Sequence, residues 1–309
     1  MADKQQLLIG AAINYEKVAS DSKYKSIVKS EFNMVTVEND MKFTSIHPAR
    51  KQYDFNKADV VVNFALMNNL RVQGHTLVWH NRIPDWLLRG HYSKEEMKRI
   101  LKDHIQTIVR HYKNKVYAWD VVNEAFNDDG SLRDSIWLRT IGSEYIGLSF
   151  QWAHEADPKA LLFLNDFGIE GLSDKSTAVY RLISSLKMQG IPVNGVGFQM
   201  HYSISKEFNA DNVKRNMKRY RDIGVEVHFS EVDIAVPGND PNMETDIQGD
   251  LYFKLLNTCL NSKGTCTAFI VWGVTDKYSW LPKEKSPLIF DQRFRKKEAY
   301  EALVDALKQ

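Results

Sequence analysis

The chain has 309 residues, and 41 basic against 39 acidic side chains leave a net charge of +2. With no basic tract and no nucleic-acid-binding motif, that balance excludes a charge-driven nucleic-acid partner. No apolar run reaches the length of a membrane span, and 309 residues suit one closed α/β barrel as well as two smaller domains.

The chain alternates two kinds of segment. Leu7–Ile13 is short and apolar and reads as a strand, with a helix over about Ser20–Lys29. Met34–Val37 is the next strand, ending in Glu38-Asn39. A helix near Lys57–Asn69 sets Ala58, Val61, Val62, Ala65 and Leu66 on one face. Val72–Trp79 is a strand ending in His80. Ser93 with Glu96 predicts a capping box, opening a helix whose stripe runs Met97, Ile100, Leu101, His104, Ile105, Ile108 and Val109. His104 on that stripe reads as a core histidine.

Tyr117–Val122 is rich in aromatic and β-branched residues, predicts a strand, and stops at Asn123 and Glu124. A helix carrying Tyr145, Leu148, Trp152 and Ala153 follows. Leu161–Leu164 is a strand ending in Asn165-Asp166, and Ala178 to Leu186 marks a helix. Val196–Gln199 is a strand ending near His201, followed by a helix through Val213, Met217 and Tyr220. Val225–Phe229 is a strand ending in Glu231, with a loop signal over Gly238–Asn242 and a helix through Ile247, Leu251, Leu255 and Leu256. Thr267–Trp272 is the last strand, and Tyr300, Leu303, Val304 and Leu307 mark a final helix.

Eight strands, each followed by a helix, predict a parallel sheet. With no long linker between units, the expected fold is a single (β/α)8 TIM barrel occupying residues 1–309. Only two cysteines occur, Cys259 and Cys266. On spacing alone they either bridge across a short loop or remain buried thiols. No further cysteine or nearby histidine completes a zinc set, so neither a metal nor a cofactor is expected.

In a parallel barrel all C-terminal strand ends share one face, where active sites are built. Here those ends carry Glu38, Asn39 and Lys42; His75, Trp79 and His80; Asn123 and Glu124; Asp166; Gln199 and His201; Glu231 and Asp233; and Trp272, with Trp280 in the loop beyond. One polar strand end is unremarkable. Polar or aromatic residues at nearly every one point to a site. Glu124 and Glu231 end the fourth and seventh predicted strands and can oppose each other across the barrel mouth. Two opposed carboxylates are the apparatus of glycoside hydrolysis, one protonating the leaving oxygen and the other attacking carbon or activating water. Asp233, two residues beyond Glu231, is positioned to orient a histidine toward it, and His201 is the candidate. That assigns Glu231 as the nucleophile. Glu124, with Asn123 beside it and no cation in its sequence neighbourhood, is left as the acid/base. Sugar rings have apolar C–H faces that suit Trp79, Trp272 and Trp280, and hydroxyls that suit Asn39, Lys42, His80 and Gln199.

These motifs resemble glycoside hydrolase family 10, the endo-β-1,4-xylanases. Trp119-Asp120-Val121-Val122-Asn123-Glu124 is similar to the family's acid/base signature and Ser230-Glu231-Val232-Asp233-Ile234 to its nucleophile motif. Glu38–Lys42, Gly74–His80, Gln199–His201 and Trp272–Trp280 resemble further family motifs in the same order. The resemblance implies retaining hydrolysis of internal xylan bonds, with Glu124 as acid/base and Glu231 as nucleophile. His201 would hydrogen-bond Glu231 and be held by Asp233. Glu38, Asn39 and Lys42 would bind the second sugar on the non-reducing side. His75, Trp79, His80, Asn123, Gln199, Trp272 and Trp280 would line the subsites around the cut. It also implies a cis peptide between His75 and Thr76. Xylan and xylo-oligosaccharides are the expected partners, with no nucleic acid and no membrane, for a protein acting as a monomer.

Two positions depart from the family pattern: Arg82 stands where glutamine is usual, and Phe167-Gly168 where Tyr-Asn often follows Asn-Asp, removing a hydroxyl from the leaving-group side. Cys259 and Cys266 resemble the cysteine pair of many secreted members, with one extra residue between them. A disulfide and secretion follow as expectations. The N-terminus, Met-Ala-Asp-Lys-Gln-Gln, has no apolar signal region, as after signal removal, and a cytoplasmic location is the alternative. Competing readings are a cellulase on the same barrel, a metal-dependent hydrolase using His75, His80 and His201, and a non-catalytic sugar-binding protein.

Overall fold

The computed structural model describes residues 1–237, 241–262 and 264–309, the side chains of residues 3 and 241–245 apart. Its strands are β1 (Leu8–Ile13), β2 (Met34–Val37), β3 (Arg71–Trp79), β4 (Ala118–Asn123), β5 (Leu161–Asp166), β6 (Gly195–Phe198), β7 (His201–Ser203), β8 (Glu226–Ala235) and β9 (Cys266–Val271). β1 through β6 pair in sequence, β6 pairs with β8, β8 with β9, and β9 returns to β1. Every pairing is parallel. The eight-stave barrel expected from the alternation therefore forms, with helices packed around it.

Three local expectations are corrected. The sixth stave, expected over Val196–Gln199 and ending near His201, spans Gly195–Phe198. Met200 then turns with φ +59°, and His201–Ser203 forms a separate strand against the outer half of β8, pairing His201 with Asp233. The reason is a length mismatch: β8 has ten residues and β6 four, so the free outer edge of β8 takes a second partner. Secondly, Glu231 lies within β8 rather than beyond a strand ending at Phe229. The register between β8 and β9 shifts between Phe229 and Val232, and such a shift re-aims the side chains inside it. Thirdly, a helix at Tyr15–Ser20 precedes the expected one, which spans Ser22–Glu31. Asp21 separates them: its extended backbone ends the first, and its carboxylate accepts from Tyr24 N to cap the second. The loop expected over Gly238–Asn242 falls on residues outside those described, except that Pro241 and Asn242 open a helix reaching Leu260.

Elsewhere local chemistry produces the predicted elements. Ser93 and Glu96 form the reciprocal capping box at the start of the Lys94–His111 helix. Met97, Leu101, Ile105, Ile108 and Val109 are buried on its inner face. His104 is buried with them, its Nε2 3.1 Å from the Leu77 carbonyl and its Nδ1 3.2 Å from His47 Nδ1. A carbonyl only accepts, so His104 Nε2 carries the proton and His47 donates to Nδ1. Cys259 and Cys266 form a disulfide, and the His75–Thr76 peptide is cis. Among the described residues no helix is long and apolar enough to cross a membrane.

Gly197, on β6, leaves room for the site. A Cβ there would fall on the side-chain amide oxygen of Asn165 and 2.9 Å from Ser230 Oγ. Gly197→Ala is therefore expected to destabilise the protein by about 1–3 kcal/mol through overpacking, read as a lower denaturant midpoint, with activity falling as Asn165 shifts. An unchanged midpoint and activity would mean that Asn165 has room to move.

Candidate active site

The C-terminal ends of the staves converge on one mouth, and each expected residue stands on it through its own strand. Glu38 and Asn39 follow β2, His75 and Trp79 belong to β3, Asn123 ends β4 and Gln199 follows β6. His201 opens β7, Glu231 and Asp233 lie in β8, and Trp272 follows β9.

Glu231 is 5% exposed. Its Oε1 accepts from Asn165 Nδ2 at 2.7 Å and its Oε2 from His201 Nε2 at 3.3 Å. The opposite ring nitrogen of His201 lies 3.0 Å from Asp233 Oδ1. With a carboxylate at each nitrogen the ring is an imidazolium. Burial alone would lower the His201 pKa, but the two carboxylates outweigh it and raise it to about 10. Burial would likewise raise Glu231. The His201 hydrogen bond, the nearby imidazoles of His75 and His201, and the Asn165 donor reverse that and hold it below the ordinary value of 4.5. Asp233 is held on its other oxygen by Trp280 Nε1 at 2.7 Å.

Glu124 follows the end of β4 with φ +54°. Its Oε2 accepts from Trp79 Nε1 at 2.9 Å, and its Oε1 from Gln199 Nε2 at 3.2 Å and Asn123 Nδ2 at 3.3 Å. His80 Nδ1 lies 4.0 Å from Oε2, bringing an imidazole from the end of β3 beside the carboxylate. Burial pushes the His80 pKa down, as does the Arg133 charge, against the pull of Glu124.

The two glutamates are linked through two side-chain amides, Asn165 and Asn123. Asn165 Nδ2 donates to Glu231 Oε1 and to Asn123 Oδ1, the latter at 2.8 Å, while its Oδ1 accepts from Ser230 Oγ at 2.6 Å. Asn165 was visible as a polar strand end but not as a bridge, because its role depends on side chains from β4 and β8. Below the mouth runs a buried polar chain. His75 Nδ1 lies 2.9 Å from Asp120 Oδ2, Gln73 Nε2 donates to Asp120 Oδ1 at 2.7 Å, and His228 Nδ1 lies 3.1 Å from Gln73 Oε1. Since Gln73 donates through its nitrogen, its oxygen accepts, and His228 Nδ1 carries the proton. Burial pushes the His228 pKa down to about 3, so the ring is neutral. The histidines of the mouth thus serve different partners: His75 faces Asp120, His80 faces Glu124 and His201 spans Glu231 and Asp233.

On one side of the glutamates Glu38 accepts from Asn14 Nδ2 and Asn39 Nδ2, each at 3.0 Å, and Asn39 Oδ1 accepts from Lys42 Nζ at 3.0 Å. Lys42 is buried, with its ammonium 5.3 Å from the centre of the Trp79 ring. Burial lowers its pKa against the pull of Glu231 and Glu38. Trp272 is buried with its ring edge-to-face on His75, whereas Trp280 is 58% exposed.

On the other side a cavity of about 370 Å³ is lined by Glu124, Phe167, Gly168, Glu170, Gln199, His201, Lys206 and Trp280. Phe167 presents its ring to Lys175, whose ammonium lies 3.6 Å from its centre. Lys175 also pairs at 3.0 Å with Asp166, and both are almost wholly buried. Asp166 in turn accepts from the backbone N–H of Phe126 and Phe167. Its ion pair thereby fixes the loops that follow β4 and β5, a role that the sequence reading did not assign.

The family model described as glycosyl hydrolase family 10 matches residues 1–306. An endo-1,4-beta-xylanase B from Thermotoga neapolitana is 40% identical over 316 residues, covering all of this chain and 91% of the relative. The exoglucanase XynX from Acetivibrio thermocellus is 38% identical, covering 99% of this chain but 29% of that protein's length. Among solved structures, xylanase 10B from Thermotoga petrophila RKU-1 in complex with xylobiose superposes with a TM-score of 0.96 at 41% identity, covering 99% of this chain and 95% of that one. TsXylA, an intracellular xylanase from Thermoanaerobacterium saccharolyticum, superposes with a TM-score of 0.91 at 38% identity, covering 96% and 95%. With the family match spanning the barrel and every strand-end motif within it, this chain belongs to glycosyl hydrolase family 10.

Proposed function

We propose that the chain is an endo-1,4-β-xylanase that cleaves internal bonds of xylan with retention, using Glu231 as nucleophile and Glu124 as acid/base. The observation that carries this assignment is the asymmetry between the two carboxylates. Glu231 is ionised by a half-buried imidazolium that Asp233 holds in place. Glu124 receives neutral donors on both oxygens and faces the cavity where a leaving sugar fits. In the first step a Glu231 oxygen attacks the anomeric carbon while Glu124 delivers its proton to the departing glycosidic oxygen. In the second step Glu124 takes a proton from water as that water attacks the same carbon, and Glu231 leaves as the free carboxylate. Inversion at each step gives net retention.

The remaining residues supply binding. Glu38, Asn39 and Lys42 present acceptors and donors to the hydroxyls of the second sugar on the non-reducing side. His75, His80, Asn123 and Gln199 serve the sugar at the cut, Trp79 and Trp272 wall it, and exposed Trp280 covers it. Phe167, lacking the hydroxyl of a tyrosine, offers the leaving sugar an apolar face. The disulfide between Cys259 and Cys266 supports residence in an oxidising compartment.

Removing the nucleophile in Glu231→Ala is expected to abolish xylan hydrolysis. Glu124→Ala should lose about 10²–10⁴-fold, and azide should restore its turnover of an activated aryl xyloside. Full activity in either variant would refute the pairing of roles. The acid limb of kcat/KM should fall as pH drops through the Glu231 pKa, with its midpoint below 4.5. In His201→Asn the imidazolium is gone, so burial dominates and that limb should move to higher pH. A limb that stays in place would mean that His201 does not keep Glu231 ionised.

A further inference from the structure

Glu124 occupies the left-handed region at φ +54°, a conformation that a residue with a Cβ avoids unless its surroundings enforce it. The enforcing contacts come mainly from Arg133, nine residues further on. Its Nε donates to the Glu124 carbonyl at 3.0 Å and its Nη2 to the Phe126 carbonyl at 2.9 Å. Its own backbone N–H donates to the Ala125 carbonyl at 2.7 Å. Three consecutive carbonyls are therefore tied to one residue. The intervening chain folds back through a bridge between Phe126 and Leu132 and a bond from Asn127 N to Ser131 O. From below, Glu124 N donates to Asn165 O and Phe126 N to Asp166.

No ion pair among the described residues includes Arg133. Its guanidinium serves backbone carbonyls and lies over the Phe167 ring at 5.6 Å. The planar fork suits this task because it aims two donors in fixed directions, which a lysine ammonium on a flexible stem does not.

We propose that Arg133 is a positioning residue for proton transfer: it locks the backbone of residues 124–126 so that the Glu124 carboxyl reaches the leaving-group oxygen. This inference rests on the reading of Glu124 as the acid/base. Arg133 acts through Glu124, so its loss is felt only where a proton must be delivered. A sugar leaving group needs that proton, whereas a dinitrophenolate leaves without it.

The test compares kcat/KM, which reports the first bond cleavage, on xylotetraose and on a dinitrophenyl β-xylobioside. For Arg133→Met we expect a loss of about 10²-fold on xylotetraose, the scale of a misplacement of about 1 Å, and a change within about twofold on the activated substrate. Azide should raise kcat on the activated substrate, where Glu124 must otherwise activate water. Arg133→Lys, which keeps one donor, should fall between wild type and Arg133→Met and carries the same comparison if the methionine variant does not fold. Equal losses on both substrates, or no loss on xylotetraose, would overturn the positioning role. Glu124→Ala run alongside separates the two claims. If it too loses both substrates equally, the acid/base reading fails. If it is selective and the Arg133 variants are not, the positioning role alone fails.

Discussion

The bifurcated amide of Asn165 is the constraint on which the rest of the site depends. One hydrogen goes to Glu231 and the other to Asn123, while its oxygen takes the Ser230 hydroxyl. Both donors and the acceptor are thus used, so the amide has one orientation. Asn123 in turn donates to Glu124. Two carboxylates on staves far apart in sequence are thereby held in one rigid frame, and the glycine at position 197 is what leaves the frame its space. Preorganisation of this kind places reacting groups before substrate arrives.

The two carboxylates in that frame are given different partners. Glu231 receives a full positive charge from His201, and Asp233 compensates that charge on the far side of the ring. The resulting row of carboxylate, imidazolium and carboxylate carries a net charge of −1, and its burial is helped by a further donor on each carboxylate, Asn165 on Glu231 and Trp280 on Asp233. Glu124 instead meets indole and amide donors, with the pKa of the nearby His80 pushed down by burial and by the Arg133 charge. Beneath them the Asp120, Gln73 and His228 chain runs through the barrel floor with Asp120 accepting from Gln73 and facing His75.

Much of this was legible from residue order. The eight alternating units specify the barrel, and polar strand ends specify its working face, because parallel closure brings them together whatever the details. The His201–Asp233 pairing was also readable, since alternate residues of a strand share a face. What escaped depended on relative strand lengths and on side-chain reach. The break at Met200, which makes His201 part of a separate strand, follows from β8 being longer than β6. The position of Glu231 inside β8 follows from a register shift. Asn165, Lys175 and Arg133 act on backbone or side chains of other loops, so no local pattern in the sequence marks them.

In the proposed mechanism Glu231 is the group that bonds to sugar. A dinitrophenyl 2-deoxy-2-fluoro-β-xylobioside forms the glycosyl-enzyme rapidly, while the fluorine slows its breakdown, so the adduct accumulates. Digestion and peptide mass spectrometry then locate it. A single fluoroxylobiosyl group is expected on Glu231, formed as activity is lost. An adduct on Glu124 or Asp233, or inactivation with no covalent adduct, would contradict that mechanism.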